Sequence, residues 1–200
     1  MWLATLDGRS APRRLTASDG LQAFFGAQGE VFFAAQEKDG TFVYRIDSDG
    51  SNLRKAIPTP VYFLYGVSPD GKNVAVWVSG SNQETENAVL VYPLDGGAPV
   101  MICRMCSGRD SEFPQFLSWS PDGKFLYIDV WAQSTYAVPL SPDRILPPLP
   151  ASGLQSVDDA AALPGAKPFP VPGAFAGPNP SIYAFSKPSA QRNIYRVPVP

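Results

Sequence analysis

The feature that most constrains the fold is a five-residue motif, Ser-Pro-Asp-Gly-Lys, which occurs twice, 52 residues apart. The two copies are Ser68, Pro69, Asp70, Gly71 and Lys72, and Ser120, Pro121, Asp122, Gly123 and Lys124. Proline presets φ at the second position of a turn, aspartate is tolerated at the third, and glycine accepts a positive φ at the fourth. Because an apolar run precedes and follows each copy, both copies predict the turn of a β-hairpin.

A second marker follows each hairpin: a short apolar strand that leads into another turn. These strands end at Leu6, Ile46, Leu94, Leu140 and Val199, so successive ends are 40 to 59 residues apart. Most of these steps match the length of a four-stranded propeller blade. The sequence therefore predicts an all-β fold, a β-propeller of about four four-stranded antiparallel blades, each with its first strand innermost.

We expect a single propeller domain. Its predicted segments are a partial blade at 1–17, blades at 20–58, 61–103 and 112–150, an irregular linker at 151–169 and a partial blade at 170–200. The outer strands of the three blades are expected at 53–57, 99–102 and 145–149. In the first blade and the last partial blade, Gly26–Gly29 and Gly177–Pro180 replace the motif. Ser156 is a suitable N-cap for a short helix over 156–163.

The strand count predicts an incomplete ring. Residues 1–17 supply two strands and residues 170–200 supply about three, which is one more than a single shared blade needs. The total is also close to four blades, the smallest ring that propellers form. We expect part of a six- to eight-bladed propeller with blades missing upstream, which leaves open whether Met1 is the natural start. The alternative is a small closed ring with one irregular blade.

The repeat resembles that of TolB-like, WD40-like propellers, the PD40 repeat family. The resemblance rests on the Ser-Pro-Asp-Gly-Lys turn with its following strand, on the tyrosine-containing strand after it, and on Leu94–Gly97. The segment Arg13–Thr16 is also similar to the end of such a repeat. The resemblance covers nearly the whole chain and implies the C-terminal part of a larger bacterial protein. It implies a fold more than a function, because propellers host many activities.

The resemblance implies a non-catalytic scaffold or sensor that binds a protein or small ligand through loops on its end faces. The candidate contact loops are Ser79–Asn87, Arg104–Phe113 and Leu146–Pro180. Two alternatives place a catalytic domain outside this chain: the C-terminal sensor region of a bacterial Ser/Thr protein kinase, and the accessory propeller of a prolyl-oligopeptidase-like enzyme. A TolB-like envelope protein is a third. The family resemblance favours a periplasmic or other extracytoplasmic location, although these residues contain no signal peptide.

The chain contains no histidine, which excludes Ser-His-Asp and Cys-His catalysis and histidine-based metal sites. We predict no catalytic, cofactor-binding or metal-binding residues. The acidic pairs Glu84 with Glu86 and Asp110 with Glu112 are interpreted as solvated loop residues. The tryptophans at 77, 119 and 131 are expected to pack between blades.

Two further motifs imitate ligand sites. The segment Gly66–Lys72 matches the phosphate-binding GxxxxGK, but Asn73 stands where Ser or Thr should hold magnesium, and a strand follows instead of a helix. The segment Asp47–Asn52 resembles the start of a calcium loop, but Pro58 occupies the position of the bidentate glutamate. Both segments are interpreted as hairpin turns.

The two cysteines, Cys103 and Cys106, form a CxxC motif after an outer strand. A zinc site would need a second pair of ligands, and a thioredoxin-like site would need a helix start. Three interpretations stay open: two structural thiols, a disulfide between Cys103 and Cys106 in an oxidising compartment, or a redox or metal role.

Charge and hydropathy restrict the partners. The net charge is −2 and the sequence pI is about 5.1, whereas nucleic-acid binding needs a basic face to neutralise phosphates. No apolar run of about 18 residues occurs, so no membrane-spanning segment is expected. We therefore predict no nucleic-acid partner and no membrane segment within these residues.

Overall fold

The structure is a computed structural model that describes residues 1–17, 19–79, 86–104, 117–130, 134–171 and 174–185. These residues form 16 strands and one short helix. The strands are β1 Trp2–Leu3, β2 Arg13–Arg14, β3 Gly20–Phe25, β4 Val31–Glu37, β5 Gly40–Ile46, β6 Arg54–Lys55, β7 Val61–Val67, β8 Asn73–Ser79, β9 Glu86–Pro93, β10 Val100–Arg104, β11 Leu117–Trp119, β12 Phe125–Val130, β13 Ser134–Pro139, β14 Lys167–Pro168, β15 Phe175–Ala176 and β16 Tyr183–Ala184. The helix is α1, Val157–Ala161.

The strands form antiparallel four-stranded blades in sequence order. The first blade is β3 to β6, the second β7 to β10, and the third β11 to β14. The first two blades are joined through a single residue pair, Thr41 with Val61. Two-stranded sheets, β1 with β2 and β15 with β16, lie before and after these blades in the chain. The all-β prediction with four-stranded antiparallel blades is confirmed.

The hydrophobic core lies between the blades, because each blade buries both of its faces. Strand β4, for example, is buried at five consecutive residues, Val31–Ala35. Its Phe32 and Ala34 pack against the second blade, whereas Phe33 and Ala35 pack against the N-terminal strand pair. Alternate side chains of a strand point to opposite faces, so a continuous apolar run indicates a strand that is covered on both sides.

The outer strand of the third blade differs from the prediction. Residues 145–149 form no strand, and the partner of β13 is β14, which begins at Lys167. The third blade therefore extends to Pro168, into the segment that was expected to be an irregular linker. Strand β14 has proline at one of its two positions, and this composition carries no strand signal.

The segment between β13 and β14 is packed into the core between the second and third blades. Leu154 and Ala160 are fully buried, and Leu163 is nearly so. The backbone N–H of Leu154 donates to the carbonyl of Ile102 at 2.7 Å, and Leu154 forms a bridge with Cys103. The segment is thus an additional layer against the second blade's outer strand.

The predicted helix in this segment is confirmed as α1. Ser156 is its N-cap: the side chain of Ser156 accepts from the N–H of Asp159 at 3.1 Å, and the Asp159 carboxylate accepts from the N–H of Ser156 at 2.9 Å. This reciprocal pair is a capping box, which satisfies two backbone donors of the first turn. In the described residues, no helix reaches the length and apolar content that crossing a bilayer requires.

Candidate functional site

The two Ser-Pro-Asp-Gly-Lys turns have the same internal hydrogen-bond network. The serine hydroxyl donates to the aspartate two residues later, at 2.5 Å for Ser68 and 2.7 Å for Ser120. The same hydroxyl accepts a backbone N–H five residues later, at 2.9 Å in both turns. Both serines are buried, at 1% and 0% exposure. These contacts complete each turn from within, which gives the motif a structural role.

The aspartate of the third-blade turn is held in its charged form. Asp122 accepts from the Ser120 hydroxyl, from the backbone N–H of Lys124 at 3.1 Å, and pairs with the Lys124 ammonium at 3.1 Å. These donors, with Ser120 contributing most, lower the pKa of Asp122 from 3.8 to about 2. Donors that stabilise a carboxylate favour the ionised form, so this turn depends on a charged aspartate.

The first blade closes the equivalent turn by different means. Gly26 donates its N–H to the carbonyl of Glu30 at 2.8 Å, and Gly29 adopts a positive φ of 84°. No serine or aspartate is present in this turn, and the Glu30 carboxylate accepts the backbone N–H of Gln28 at 2.8 Å. Glu30 thus holds the N–H of the residue before the turn glycine, whereas each Ser-Asp pair holds the N–H groups of the two residues after the glycine.

Glu30 also pairs with a charged residue from the third strand of its blade. Its side chain is 5% exposed, and its Oε1 lies 3.1 Å from Nη2 of Arg45, which is 26% exposed. The Arg45 guanidinium lies over the Phe32 ring, 5.7 Å from the centroid. Because Glu30 is buried and Arg45 is half-buried, this pair costs more desolvation energy than the exposed aspartates of the serine turns. The Nε–H of Arg45 is buried and has no hydrogen-bond partner among the described residues.

This ion pair lies between two clefts on the face that carries the turns. Gln28, Glu30 and Arg45 line both clefts. The cleft towards the second blade has a volume of about 210 Å³ and is completed by Asp70, Gly71, Lys72, Leu94 and Asp95. The other has a volume of about 290 Å³ and is completed by Asp47, Ser48 and Asp49. We call the two together the Arg45 cleft.

The second-blade turn is positioned against the first by close packing. Gly71 has a φ of +71°, and a Cβ at this position would lie 3.0 Å from the Cβ of Ala27 and 3.1 Å from its backbone nitrogen. A glycine is needed here for both the left-handed backbone and the close approach. This contact sets Asp70 and Lys72 at the edge of the Arg45 cleft.

The two motifs that imitate ligand sites are turns in the structure. In the calcium-like segment, the Asp47 carboxylate accepts from Asn52 Nδ2 at 2.6 Å, and Asp49 Oδ1 accepts from the hydroxyl and N–H of Ser51 at 2.6 and 2.8 Å. In the phosphate-like segment, a strand rather than a helix follows Lys72. Across the described residues, no group of three or more acidic or cysteine side chains is arranged to hold a metal ion.

The structure describes the three predicted contact loops to different extents. Most of Ser79–Asn87 and Arg104–Phe113 lies outside the described residues, as do Trp131 and the acidic pair Asp110 with Glu112. The third predicted loop, Leu146–Pro180, is largely not a free loop, because it contributes Leu154, α1 and β14 to the fold. Sequence analysis missed the Arg45 cleft, since its side chains come from turns of two blades.

Cys103 is fully buried and disulfide-bonded. It lies in β10, next to an irregularity in the pairing with β9 between Met101 and Cys103. The other cysteine of the sequence, Cys106, lies outside the described residues, so the proposed pairing of the two stays a prediction.

Asp129 is a half-buried carboxyl group that sequence analysis missed. It is opposite Thr135 in the pairing of β12 with β13. Both Asp129 Oδ1 and Thr135 Oγ1 are buried, and neither has a hydrogen-bond partner in the part of the chain that the structure describes. Burial raises the pKa of Asp129 to about 6. The available signal was a charged residue inside the otherwise apolar run Phe125–Val130.

The chain matches no protein-family model, and no curated protein is similar to it in sequence. Solved structures do match. An oligogalacturonate lyase in complex with manganese is 18% identical with a TM-score of 0.50, and the match covers 70% of this chain and 41% of that one. TolB from Acinetobacter baumannii is 14% identical with a TM-score of 0.46, covering 64% and 31%. A nidogen/laminin complex is 16% identical with a TM-score of 0.46, covering 70% and 51%.

The chain thus spans between 31% and 51% of the length of these structures. At such identities the likeness concerns the fold alone. Together with the antiparallel strand order of the blades, the likeness identifies the chain as an all-β propeller of four-stranded blades.

Proposed function

We propose that this chain is a non-catalytic propeller scaffold that binds a small ligand or a protein, and that the Arg45 cleft is its binding site. The observation that carries the proposal is the pairing of the buried Glu30 with Arg45, where the matching turns of the second and third blades use a buried serine and an exposed aspartate. A buried ion pair is a costly way to close a turn that Ser-Pro-Asp-Gly closes within itself. Such a departure from local consistency is typical of functional positions.

The cleft's other side chains support binding rather than catalysis. The carboxylates of Asp47, Asp49 and Asp70 are already acceptors for donors of their own turns. These three carboxylates therefore stabilise the backbone of their turns and contribute negative charge to the cleft. They are not suited to exchanging protons with a substrate.

The proposed PD40 repeat identity is supported by the shared network of the Ser68 and Ser120 turns. An extracytoplasmic location is supported by the disulfide at Cys103, because disulfides persist in oxidising compartments. If the chain is the sensor region of a Ser/Thr kinase or the accessory propeller of a prolyl-oligopeptidase-like enzyme, the cleft has the same binding role within a larger protein.

Site-specific photo-crosslinking tests the proposal. A photoreactive residue replaces Lys72, at the edge of the cleft, in one variant and Lys124 in a matched control, because the two lysines hold the same position in matching turns. The variants are produced in the natural host, irradiated and analysed by intact mass. We expect a defined adduct, small molecule or protein, at position 72 and none at 124. Absence of an adduct at 72, or equal adducts at both positions, contradicts the proposal.

A further inference from the structure

We propose that two copies of this chain complete each other's propeller, with the hairpin β15–β16 of one copy and the strand pair β1–β2 of the other forming a single four-stranded blade. This interface goes beyond the proposed function and does not depend on it. The starting observation is the exposure of three apolar side chains on or next to β1, β3 and β16: Trp2, Phe25 and Ile182 are 66%, 67% and 53% exposed. Exposed apolar surface of this kind indicates an interaction site.

The hairpin β15–β16 matches the first two strands of a blade. Its turn is closed by a hydrogen bond from the N–H of Gly177 to the carbonyl of Ile182, at 2.8 Å. The serine turn of the second blade has the same bond over the same interval, from Ser68 to Asn73 at 2.9 Å. Among the described residues, β16 pairs only with β15, so its other edge has the position where the third strand of a blade follows.

The strand pair β1–β2 matches the last two strands of a blade. The N–H of Leu15, directly after β2, donates to the carbonyl of Met1 at 3.1 Å. The N–H of Ala56, directly after β6, donates in the same way to the carbonyl of Val43 in β5, at 2.8 Å. Within the part of the chain that the structure describes, β1 pairs only with β2 and belongs to a different sheet from β15 and β16. The two pairs therefore supply the four strands of one blade without forming that blade within one chain.

The first blade has an uncovered face beside β1. Phe25 is the last residue of β3, directly before the turn, and it pairs with Val31. The residues at the same position in the second and third blades, Val67 and Trp119, pack in the cores that these blades share with the preceding blade. On the first blade, β1–β2 packs on this face through Leu3 but leaves Phe25 exposed. An inner hairpin placed beside β1 would cover Phe25.

The hairpin β15–β16 has an uncovered face of its own. Its Tyr183 packs on the third blade, with the ring centroid 5.4 Å from that of Phe169. Ile182 and Ala184 alternate with Tyr183, so they point to the opposite face, and both are exposed. The residue that matches Ile182 in the third blade is Phe125, which packs in the core between that blade and the hairpin. The outer face of the hairpin therefore has the position that a following blade covers.

These two uncovered faces fit each other. When β16 of one copy pairs with β1 of another, the outer face of the hairpin packs on the first blade of the second copy, where Phe25 is exposed. Trp2 alternates with Leu3 and points away from the first blade, so it packs on the third blade of the copy that supplies the hairpin. All three exposed side chains become buried, and burial of apolar surface drives association.

A second copy suits this interface because each copy carries both halves of the shared blade. Two copies related by a two-fold axis use both faces of each copy and leave no half-blade open, as closed symmetric oligomers do. Each copy contributes three complete blades and half of each of two shared blades, so the closed ring has eight blades, which is within the range that propellers form. A different partner would need both a matching hairpin and a matching outer strand pair to close the same ring.

Sedimentation equilibrium of the full chain tests the interface. We expect a mass of twice the 21.5 kDa of one chain. Phe25→Asp and Ile182→Asp each place a charge on one of the two faces, and each should weaken dimerisation at least about tenfold. Leu53→Asp is the matched control, because Leu53 is 47% exposed but lies directly before β6, outside both faces. The control should leave the dissociation constant unchanged.

Mixing the two face variants tests how the faces meet. The hairpin of the Phe25→Asp chain and the first blade of the Ile182→Asp chain are both unmodified, so one of the two shared blades stays intact in the mixed dimer. We expect the mixture to dimerise more tightly than either variant alone. Circular dichroism verifies that each variant is folded.

A single-chain mass at about 0.1 mM overturns the proposal, because a complex with a micromolar Kd is almost fully formed at that concentration. A dimer that neither substitution weakens has its contacts elsewhere, and a dimer that the mixture does not restore pairs identical faces; both results overturn the shared blade. An assembly larger than two copies overturns the two-fold ring. If one variant does not fold, the mass of the unmodified chain and the effect of the other variant decide the outcome.

Discussion

The turn of the first blade and the matching turns of the second and third blades perform the same task with different chemistry. In the latter two, a buried serine hydroxyl bridges an aspartate and a backbone N–H within six residues. In the first blade, Glu30 accepts from a different backbone donor, the N–H of Gln28, and pairs with Arg45 from another strand. The serine turns are complete in themselves, whereas the first-blade turn depends on a residue 15 positions away in the sequence.

This difference in turn chemistry changes which groups lie at the protein surface beside each turn. In the serine turns the buried group is a neutral hydroxyl, and the aspartate that pairs with it is exposed. The first-blade turn has the Glu30–Arg45 pair instead, and both of these side chains line two clefts. A repeat protein can thus close its turns with a stable standard motif and carry a binding site at the blade where the motif is replaced.

Removing Glu30 should have the largest effect. Glu30→Ala leaves Arg45 without its partner and the N–H of Gln28 without an acceptor, and we expect a loss of about 2–4 kcal/mol in the free energy of unfolding. Urea denaturation measures it, with Asp95→Ala, an exposed carboxylate of the same cleft, as a control expected to stay within about 0.5 kcal/mol of the unmodified chain. A loss for Glu30→Ala as small as that of the control would show that the ion pair is not needed to close the turn.

Removing either serine should have the next largest effect. Ser68→Ala and Ser120→Ala each leave a backbone N–H and an aspartate without the shared hydroxyl, and each should cost about 1–3 kcal/mol. Because the two networks match, the two costs should agree to within about 0.5 kcal/mol. Thermal denaturation of both variants side by side checks this. Clearly unequal losses would break the equivalence of the two turns.

The glycines of the two serine turns should differ from each other. Both have a φ near +70°, so Gly71→Ala and Gly123→Ala share a backbone penalty of about 1 kcal/mol. A Cβ on Gly71 meets Ala27 at 3.0 Å, whereas a Cβ on Gly123 has its nearest neighbour, Pro69, at 3.8 Å. We expect Gly71→Ala to cost about 1 kcal/mol more, measured by urea denaturation. Equal costs would mean that the first-blade turn yields to the added methyl group.

The smallest expected effect on stability is the pH dependence of the contribution from Asp122. The pKa of Asp122 is about 2 in the folded chain, below its ordinary value of 3.8. The carboxylate's contribution to stability is therefore fully present above about pH 4 and is lost as the pH falls through about 2. Asp122→Asn should lower the midpoint of thermal unfolding at pH 7, and the difference from the unmodified chain should vanish near pH 2. A difference that is independent of pH would show that the charge of Asp122 is not what stabilises the turn.

Much of the blade architecture could be predicted because its signals are local. The turns at Ser68 and Ser120, the replaced turns at Gly26 and Gly177, and the N-cap at Ser156 all lie where the sequence placed them. Each depends on residues within about six positions, so the residue types alone specify the hydrogen bonds. The outer strand of the third blade was placed at 145–149 instead of 167–168, because a two-residue strand has no periodicity from which to predict it.

The candidate site could not be predicted in this way. Gln28, Arg45 and Lys72 are separated by 17 and 27 residues, and each alone has an ordinary composition for a turn or a strand end. Asp129 was overlooked because only packing decides whether a charged residue in a strand is exposed or buried. The sequence by itself determined the repeat, the turn types and the alternation of strands, since these follow from local conformational preferences. The packing of one blade's turn on the next, and with it the Arg45 cleft, was decided by tertiary structure, because burial and charge pairing depend on which distant residues come together.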